Sequence, residues 1–303
     1  MDRVLVTGAA SRLGMQLVDR LRQGSGTEVL AVDDHPDPSG TVRTVPLESL
    51  DFAHLVVEMA PTTIVHLATI DRSDAIGSDR AREAVILGTQ ALFGAAERLD
   101  SLGAVVMRSE GHVYGTGNRS PLLAVESARL GGKASRHGRA LRHAEQYARD
   151  LSATRGIPLA ILRFAEELSA TTDTPLARLL RLPMVPVLMG FDPLLQFLDP
   201  DDALGALEFA MEERLDGTWN VAPRGPLYLS QVVRLAGRRA QPLPSPHLDA
   251  AHRLLARGGL LVHSQHRSLL RHGRVLDTRR LSEAGWHATR STRDIALALR
   301  ESI

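Results

Sequence analysis

Residues 3–14 read RVLVTGAASRLG, and this stretch decides the fold. Arg3–Thr7 is a short apolar run of the kind that forms a buried strand. It gives way at Gly8 to a glycine-bounded turn, and from Leu13 to Gln23 apolar residues recur at helical spacing. A strand passing through a tight turn into a helix N-terminus suits a dinucleotide pyrophosphate. Backbone N–H groups of the turn face the phosphates, and the helix dipole favours their negative charge. Gly8 supplies the tight turn and Gly14 the close helix–strand contact, while Leu13 opens the helix. Ser11 stands where the middle glycine of such a turn would be. Its side chain narrows the approach of backbone to pyrophosphate, yet it is small and can donate a hydrogen bond. Arg12 offers either a phosphate contact or a solvent-facing charge.

Working outward, Glu28–Asp33 (EVLAVD) forms a second strand, closed by the turn-rich Asp34–Gly40 (DHPDPSG). A carboxylate at that strand end, here Asp33, hydrogen-bonds the adenosine ribose hydroxyls and repels a 2′-phosphate. The cofactor expected is therefore NAD rather than NADP, with Asp34 adding to the negative field. The competing explanation is that these acids merely cap a turn. Further buried strands follow at Thr63–Ala68, Ala104–Met107 and Leu159–Phe164, separated by helical patterns at Ser78–Leu99 and Ala134–Arg155. Alternating strands and helices, with strands apolar on both faces, predict an α/β fold. It is Rossmann-like, a doubly wound parallel sheet covered on both sides.

The pattern changes after Phe164. Prolines crowd Pro183–Pro193 and Pro242–Pro246, and the helices shorten. We expect a dinucleotide-binding domain over residues 1–165 and a smaller C-terminal substrate lobe over 166–303, with some segments returning to the first domain. Asp201–Glu213 reads as a helix and Gly217–Val221 as a short strand. His263–Arg274 reads as a solvated helix or loop rather than a nucleic-acid patch.

Composition excludes several chemistries. The 303 residues hold 36 basic and 35 acidic side chains, a formal charge of +1, which gives no electrostatic case for nucleic acid. There is no cysteine, so disulfides, thiol nucleophiles and cysteine-ligated metal sites are absent. No H-x-H or H-E-x-x-H spacing occurs, and no metal is expected. No apolar run reaches the roughly 18 residues of a membrane span, and the N-terminus enters a strand at once. A cytoplasmic protein is the expectation. Lys133 is the only lysine. A Tyr-x-x-x-Lys pair would need tyrosine at 129, where Arg129 stands.

Together these residues resemble the extended short-chain dehydrogenase/reductase family, the NAD-dependent epimerase/dehydratase group. Thr7–Gly14 is similar to its T-G-x-x-G-x-x-G, and His66-Leu67-Ala68 to its H-L-A strand end, which puts Leu67 and Ala68 beside the cofactor. Gly88-Thr89, Val113-Tyr114-Gly115, Leu162-Arg163-Phe164, Asp201-Asp202, Gly217–Val221 and Asp277–Trp286 match further motifs of the group. The likeness spans nearly the whole chain and is greatest to an atypical, UDP-glucose-4-epimerase-like branch found in actinobacteria. It implies a small-molecule substrate of nucleotide-sugar type and a homodimer formed through the helices at Ser78–Leu99 and Ala134–Arg155.

The likeness breaks where the chemistry should be. The family's Ser/Thr position before V-Y-G is Glu110, preceded by Ser109. His137 stands at the position of the family tyrosine and Leu141 at that of its lysine. Val85 replaces the asparagine before G-T, and Glu166 the one after L-R-F. The family tyrosine depends on the lysine ammonium to lower its pKa, and Leu141 cannot do this. Arg142 is rotated about 100° around the helix and stays too fully protonated to take that part. Ordinary UDP-galactose/UDP-glucose epimerisation is therefore not expected. His137 with Glu110 offers another acid–base pair, since an imidazole titrates near neutrality and a carboxylate orients it. Lys133 could share their side of the helix. His66 reads as packing beside the cofactor, and Tyr114 as structural. The other outcome is a non-catalytic dinucleotide-binding sensor or scaffold.

Overall fold

The apolar strands of the N-terminal half assemble because each is flanked by a helix that covers it. β1 (Asp2–Thr7) leads through the glycine turn into α1 (Arg12–Gln23). Then come β2 (Thr27–Asp33), β3 (Arg43–Thr44), α2 (Leu50–Met59), β4 (Thr63–His66), α3 (Asp79–Ala96) and β5 (Ala104–Glu110). α4 (Arg136–Arg155), β6 (Leu159–Phe164) and β7 (Gly217–Val221) complete the set. The structure is a computed structural model that describes residues 2–24, 26–37, 39–69, 79–115, 122–128, 130, 134–260 and 264–301. Arg129 and Lys133 lie outside the described residues, as do Ser78 and His263.

The seven strands form one sheet in the order β7-β6-β5-β4-β1-β2-β3. The pairings β1–β2, β1–β4, β2–β3 and β4–β5 are parallel. The order reverses beside β1, so the carboxyl ends of β1 and β4 border the crevice where such sheets bind ligands. The chain divides into two units. The first comprises Met1–Glu110, Arg136–Arg163 and Leu204–Trp219, and the second Gly111–Ser135, Phe164–Ala203 and Asn220–Ile303.

The core of the first unit is built by Leu5, Phe52, Ile64, Leu92, Met107 and Ile161, all closed to solvent. α2 presents Phe52, Leu55 and Val56 to that core and is capped by Ser49, whose hydroxyl accepts from the Phe52 N–H at 3.1 Å. The second unit has its own core, with Leu168, Phe197, Val232, Leu269 and Ile295 among its members. Here one expectation is corrected. The stretch expected to be solvated contains a helix, Ser264–His272, in which His266, Leu269 and Leu270 are buried. Those three sit at i, i+3 and i+4, one helical face, which packs inward, while Arg267 and Arg271 are only partly buried. Among the described residues no helix is long and apolar enough to cross a membrane.

Candidate functional site

The turn after β1 is held by its own side chains. Gly8 has φ +70°, open to glycine at little cost, and a Cβ there would lie 2.6 Å from the Ala68 nitrogen. Gly14 is tighter still, since a Cβ would meet the Gly8 carbonyl oxygen at 2.4 Å. Ser11 caps α1: its hydroxyl accepts from the Gly14 N–H at 2.9 Å and donates to the Gly8 carbonyl at 2.7 Å. The serine at the middle position thus closes the turn upon itself. The Leu13 N–H, in the first turn of α1, has no protein acceptor among the described residues. A glycine turn that side chains would fill, with an amide left at a helix N-terminus, fits a dinucleotide pyrophosphate.

Two other strand ends converge on this turn. Beyond the end of β4, Leu67 still donates its N–H to Thr7 at 3.0 Å, and Ala68 then passes against Gly8. At the end of β2, Asp33 is buried and accepts from the Ala10 N–H at 2.9 Å and the His35 N–H at 3.0 Å. Asp33 therefore braces the turn directly. Asp34 is half-exposed and lies 2.6 Å from Nδ1 of His35. Burial pushes the Asp34 carboxyl up, but its bonds to Asp33 and His35 outweigh that and hold it below its ordinary value. Asp33, Asp34 and His35 offer donor atoms within 4.8 Å of one another, atoms already committed to these bonds. The loop that follows is closed by Asp37, which accepts from Ser39, Thr41 and Val42, the Ser39 hydroxyl chief among them.

His66 is sealed in the sheet, with Nδ1 2.7 Å from the Thr7 hydroxyl and Nε2 2.8 Å from that of Thr89. Burial lowers its pKa to about 3. It is a neutral structural ring that ties β1, β4 and α3 together beside the turn.

The residues expected to carry chemistry meet where β5 runs against α4. Nε2 of His137 lies 2.8 Å from Oε2 of Glu110, and both side chains are partly open, 14% and 18% exposed. The Glu110 side chain leaves the last residue of β5, and His137 stands in the first turn of α4. Leu141, one turn further along α4, is wholly buried. Beyond it, Glu145 is also sealed from water. Its Oε1 accepts from the Ser109 hydroxyl at 2.7 Å and from Nε of Arg163 at 2.9 Å; its Oε2 accepts from Nη2 of Arg163 at 2.6 Å and of Arg149 at 2.9 Å. Burial pushes the Glu145 carboxyl up, and the Arg163 guanidinium more than reverses this, so it stays below the ordinary carboxylate range. In the sequence Arg163 is marked only as the middle of the Leu162-Arg163-Phe164 motif, and Glu145 is not singled out at all. Their pairing has no local signal.

In the second unit, Glu166 sits between two imidazoles: Nε2 of His112 is 3.0 Å from its Oε1, and Nε2 of His266 is 3.3 Å from its Oε2. Nothing in the sequence joins these two histidines, because more than half the chain separates them. Tyr114 donates to Oδ1 of Asn220 at 2.7 Å, while the Asn220 amide donates to the carbonyls of Ala124 and Asp277. This buried phenol is a structural tie. Asp202, of the paired acids, accepts from Thr289 and Arg290 and anchors the C-terminal segment.

Residues 4–222 match the NAD dependent epimerase/dehydratase family. An uncharacterized protein of Mycobacterium tuberculosis is 32% identical over 293 residues, covering 92% of this chain and 77% of its own length. An uncharacterized protein of Mycobacterium bovis matches at the same 32% identity and coverage. Among solved structures, the UDP-glucose 4-epimerase of Thermus thermophilus in complex with NAD superposes with a TM-score of 0.74 at 19% identity, covering 99% of this chain and 98% of that one. MoeE5 in complex with UDP-glucose and NAD gives 0.73 at 23% identity, covering 100% and 98%. These two likenesses are likenesses of fold.

Proposed function

The chain belongs to the NAD dependent epimerase/dehydratase family, and from that premise we propose that it binds NAD and acts on a nucleotide-sugar-like substrate through His137 and Glu110. The observation that carries the reading is the 2.8 Å contact of His137 with Glu110, at the positions where the family resemblance puts tyrosine and Ser/Thr.

The Gly8–Gly14 turn, Leu67, Ala68 and Asp33 are the residues that would hold the cofactor, with Asp33 disfavouring a 2′-phosphate and Asp34 adding to the negative field. When bound, NAD would supply a hydride acceptor. The chain itself handles the proton. A proton held between Nε2 of His137 and Oε2 of Glu110 is one the pair can lend to a substrate oxygen or take from a hydroxyl. Glu110 orients the ring and stabilises the imidazolium when it forms. Partial exposure of both groups leaves room for a substrate to reach them. Neighbours of the same fold solved with UDP-glucose or UDP-glucuronic acid and NAD support a nucleotide sugar as the substrate class. Homodimerisation through α3 and α4 belongs to the same reading, and Leu87 on α3 is 42% exposed to meet a partner.

Titration calorimetry tests the cofactor half. NAD is expected to bind, and more tightly than NADP; binding of neither would overturn the proposal. One observation favours a second reading, a dinucleotide-binding sensor or scaffold without turnover: Leu141 is fully buried where the family lysine would hold the nicotinamide ribose. NAD binding without conversion of any nucleotide sugar would select it.

A further inference from the structure

His137, Leu141 and Glu145 succeed one another at i, i+4 and i+8, on one face of α4. The outer two are about 12 Å apart along the helix axis. Each is bonded to one of two adjacent residues of β5: Glu110 reaches His137 at 2.8 Å, and Ser109 reaches Glu145 at 2.7 Å. Leu141 stands between His137 and Glu145 in the helix and is closed to solvent. The strand end and the helix are therefore pinned at two polar points.

The two pins differ in what stands behind them. The Glu110–His137 contact is partly open to water, so water competes for both partners. The Ser109–Glu145 contact is dry, and Glu145 is itself fixed by two bonds from Arg163 on β6 and one from Arg149. Arg149 extends the network to the Thr218 hydroxyl on β7, 3.2 Å away. All four acceptor interactions of the Glu145 carboxylate are thus taken by rigid elements, and it has one orientation available. A buried group so constrained sets the position of α4 relative to the end of β5.

We infer that Glu145 is a positioning residue for the Glu110–His137 pair, with Ser109 as its contact to β5 and Arg163 as its anchor. The inference rests on the acid–base reading above and adds that the pair's geometry is imposed from the dry interior. Because Ser109 and Glu110 are adjacent in one strand, release of the first frees the second to leave the ring.

The test is spectroscopic and needs no substrate. In nitrogen-15-labelled protein at low temperature, where exchange with water is slowed, an imidazole N–H held against a carboxylate gives a downfield proton resonance. The His137 signal is assigned by its disappearance in His137→Asn. It is expected in the wild-type protein and expected to be lost, or shifted upfield, in Glu145→Gln and in Ser109→Ala. The ring signal of His66 should remain and report that the sheet is folded. Should Glu145→Gln fail to fold, Ser109→Ala removes a single hydrogen bond and carries the test alone. A His137 resonance unchanged in the folded variants overturns the positioning role. Its absence from the wild-type protein overturns the acid–base reading itself, and the positioning role with it.

Discussion

Arg163 grips Glu145 through two hydrogen bonds, 2.9 and 2.6 Å long, with both side chains closed to water. A pair of this kind adds modestly to stability while intact, but removal of one partner leaves an uncompensated buried charge. Arg163→Met is expected to cost about 3–5 kcal/mol. The check is urea unfolding followed by tryptophan fluorescence, with the midpoint lowered and the slope preserved. A midpoint within error of the wild-type value would show that Arg149 and Ser109 suffice to hold the carboxylate.

His66 makes the fold acid-sensitive in a defined window. Its folded pKa, about 3, lies below its ordinary value of 6.5. Below 6.5 the unfolded chain takes up a proton that the folded chain refuses. The stability associated with the neutral ring is therefore complete above that value and declines as pH falls toward 3, by at most about 1.4 kcal/mol per pH unit. Melting temperatures of wild type and His66→Gln measured from pH 7 to pH 4 should converge as the pH is lowered. Parallel curves would contradict the assignment.

The glycine turn gives a graded series. Ser11→Ala removes the cap of α1 and should cost about 1 kcal/mol, leaving the backbone path intact. Gly14→Ala puts a methyl group 2.4 Å from the Gly8 carbonyl oxygen, so the backbone itself must shift. Calorimetry should find NAD binding weakened in Ser11→Ala and abolished in Gly14→Ala. Equal affinity in all three proteins would place the cofactor elsewhere.

Asp33 should govern cofactor choice. Asp33→Asn keeps an oxygen for the Ala10 N–H but removes the charge, so the preference for NAD over NADP is expected to shrink. The ratio of the two dissociation constants is the measurement. An unchanged ratio would move discrimination to Asp34, which is more exposed and lies beside His35.

Much of this is legible in the sequence, and the reason is locality. The turn from Thr7 to Gly14 declares itself within eight residues, because strand, glycine and helix cap each have their own signature. Glu110 and His137 are marked by their places in motifs, and the fold brings them together. What stays hidden depends on contacts between distant segments. Glu145 and Arg163 lie on a helix and a strand joined only by packing, and no spacing rule announces them. The burial of His266 with Leu269 and Leu270 is concealed by the arginines Arg267 and Arg271 interspersed among them. α2 is equally hard to read, since its apolar residues run together rather than marking one face.

The central claim is that His137 and Glu110 do the proton chemistry that tyrosine does in the family. It is tested most directly by incubating the wild-type protein, His137→Asn and Glu110→Gln with NAD and a panel of UDP-hexoses and UDP-uronic acids, following the sugars by proton NMR. The account predicts conversion by the wild-type protein, not ordinary 4-epimerisation of UDP-glucose, and a loss of about 100-fold or more in His137→Asn with NAD affinity retained. Conversion undiminished in His137→Asn, or none by the wild-type protein with NAD bound, would contradict it.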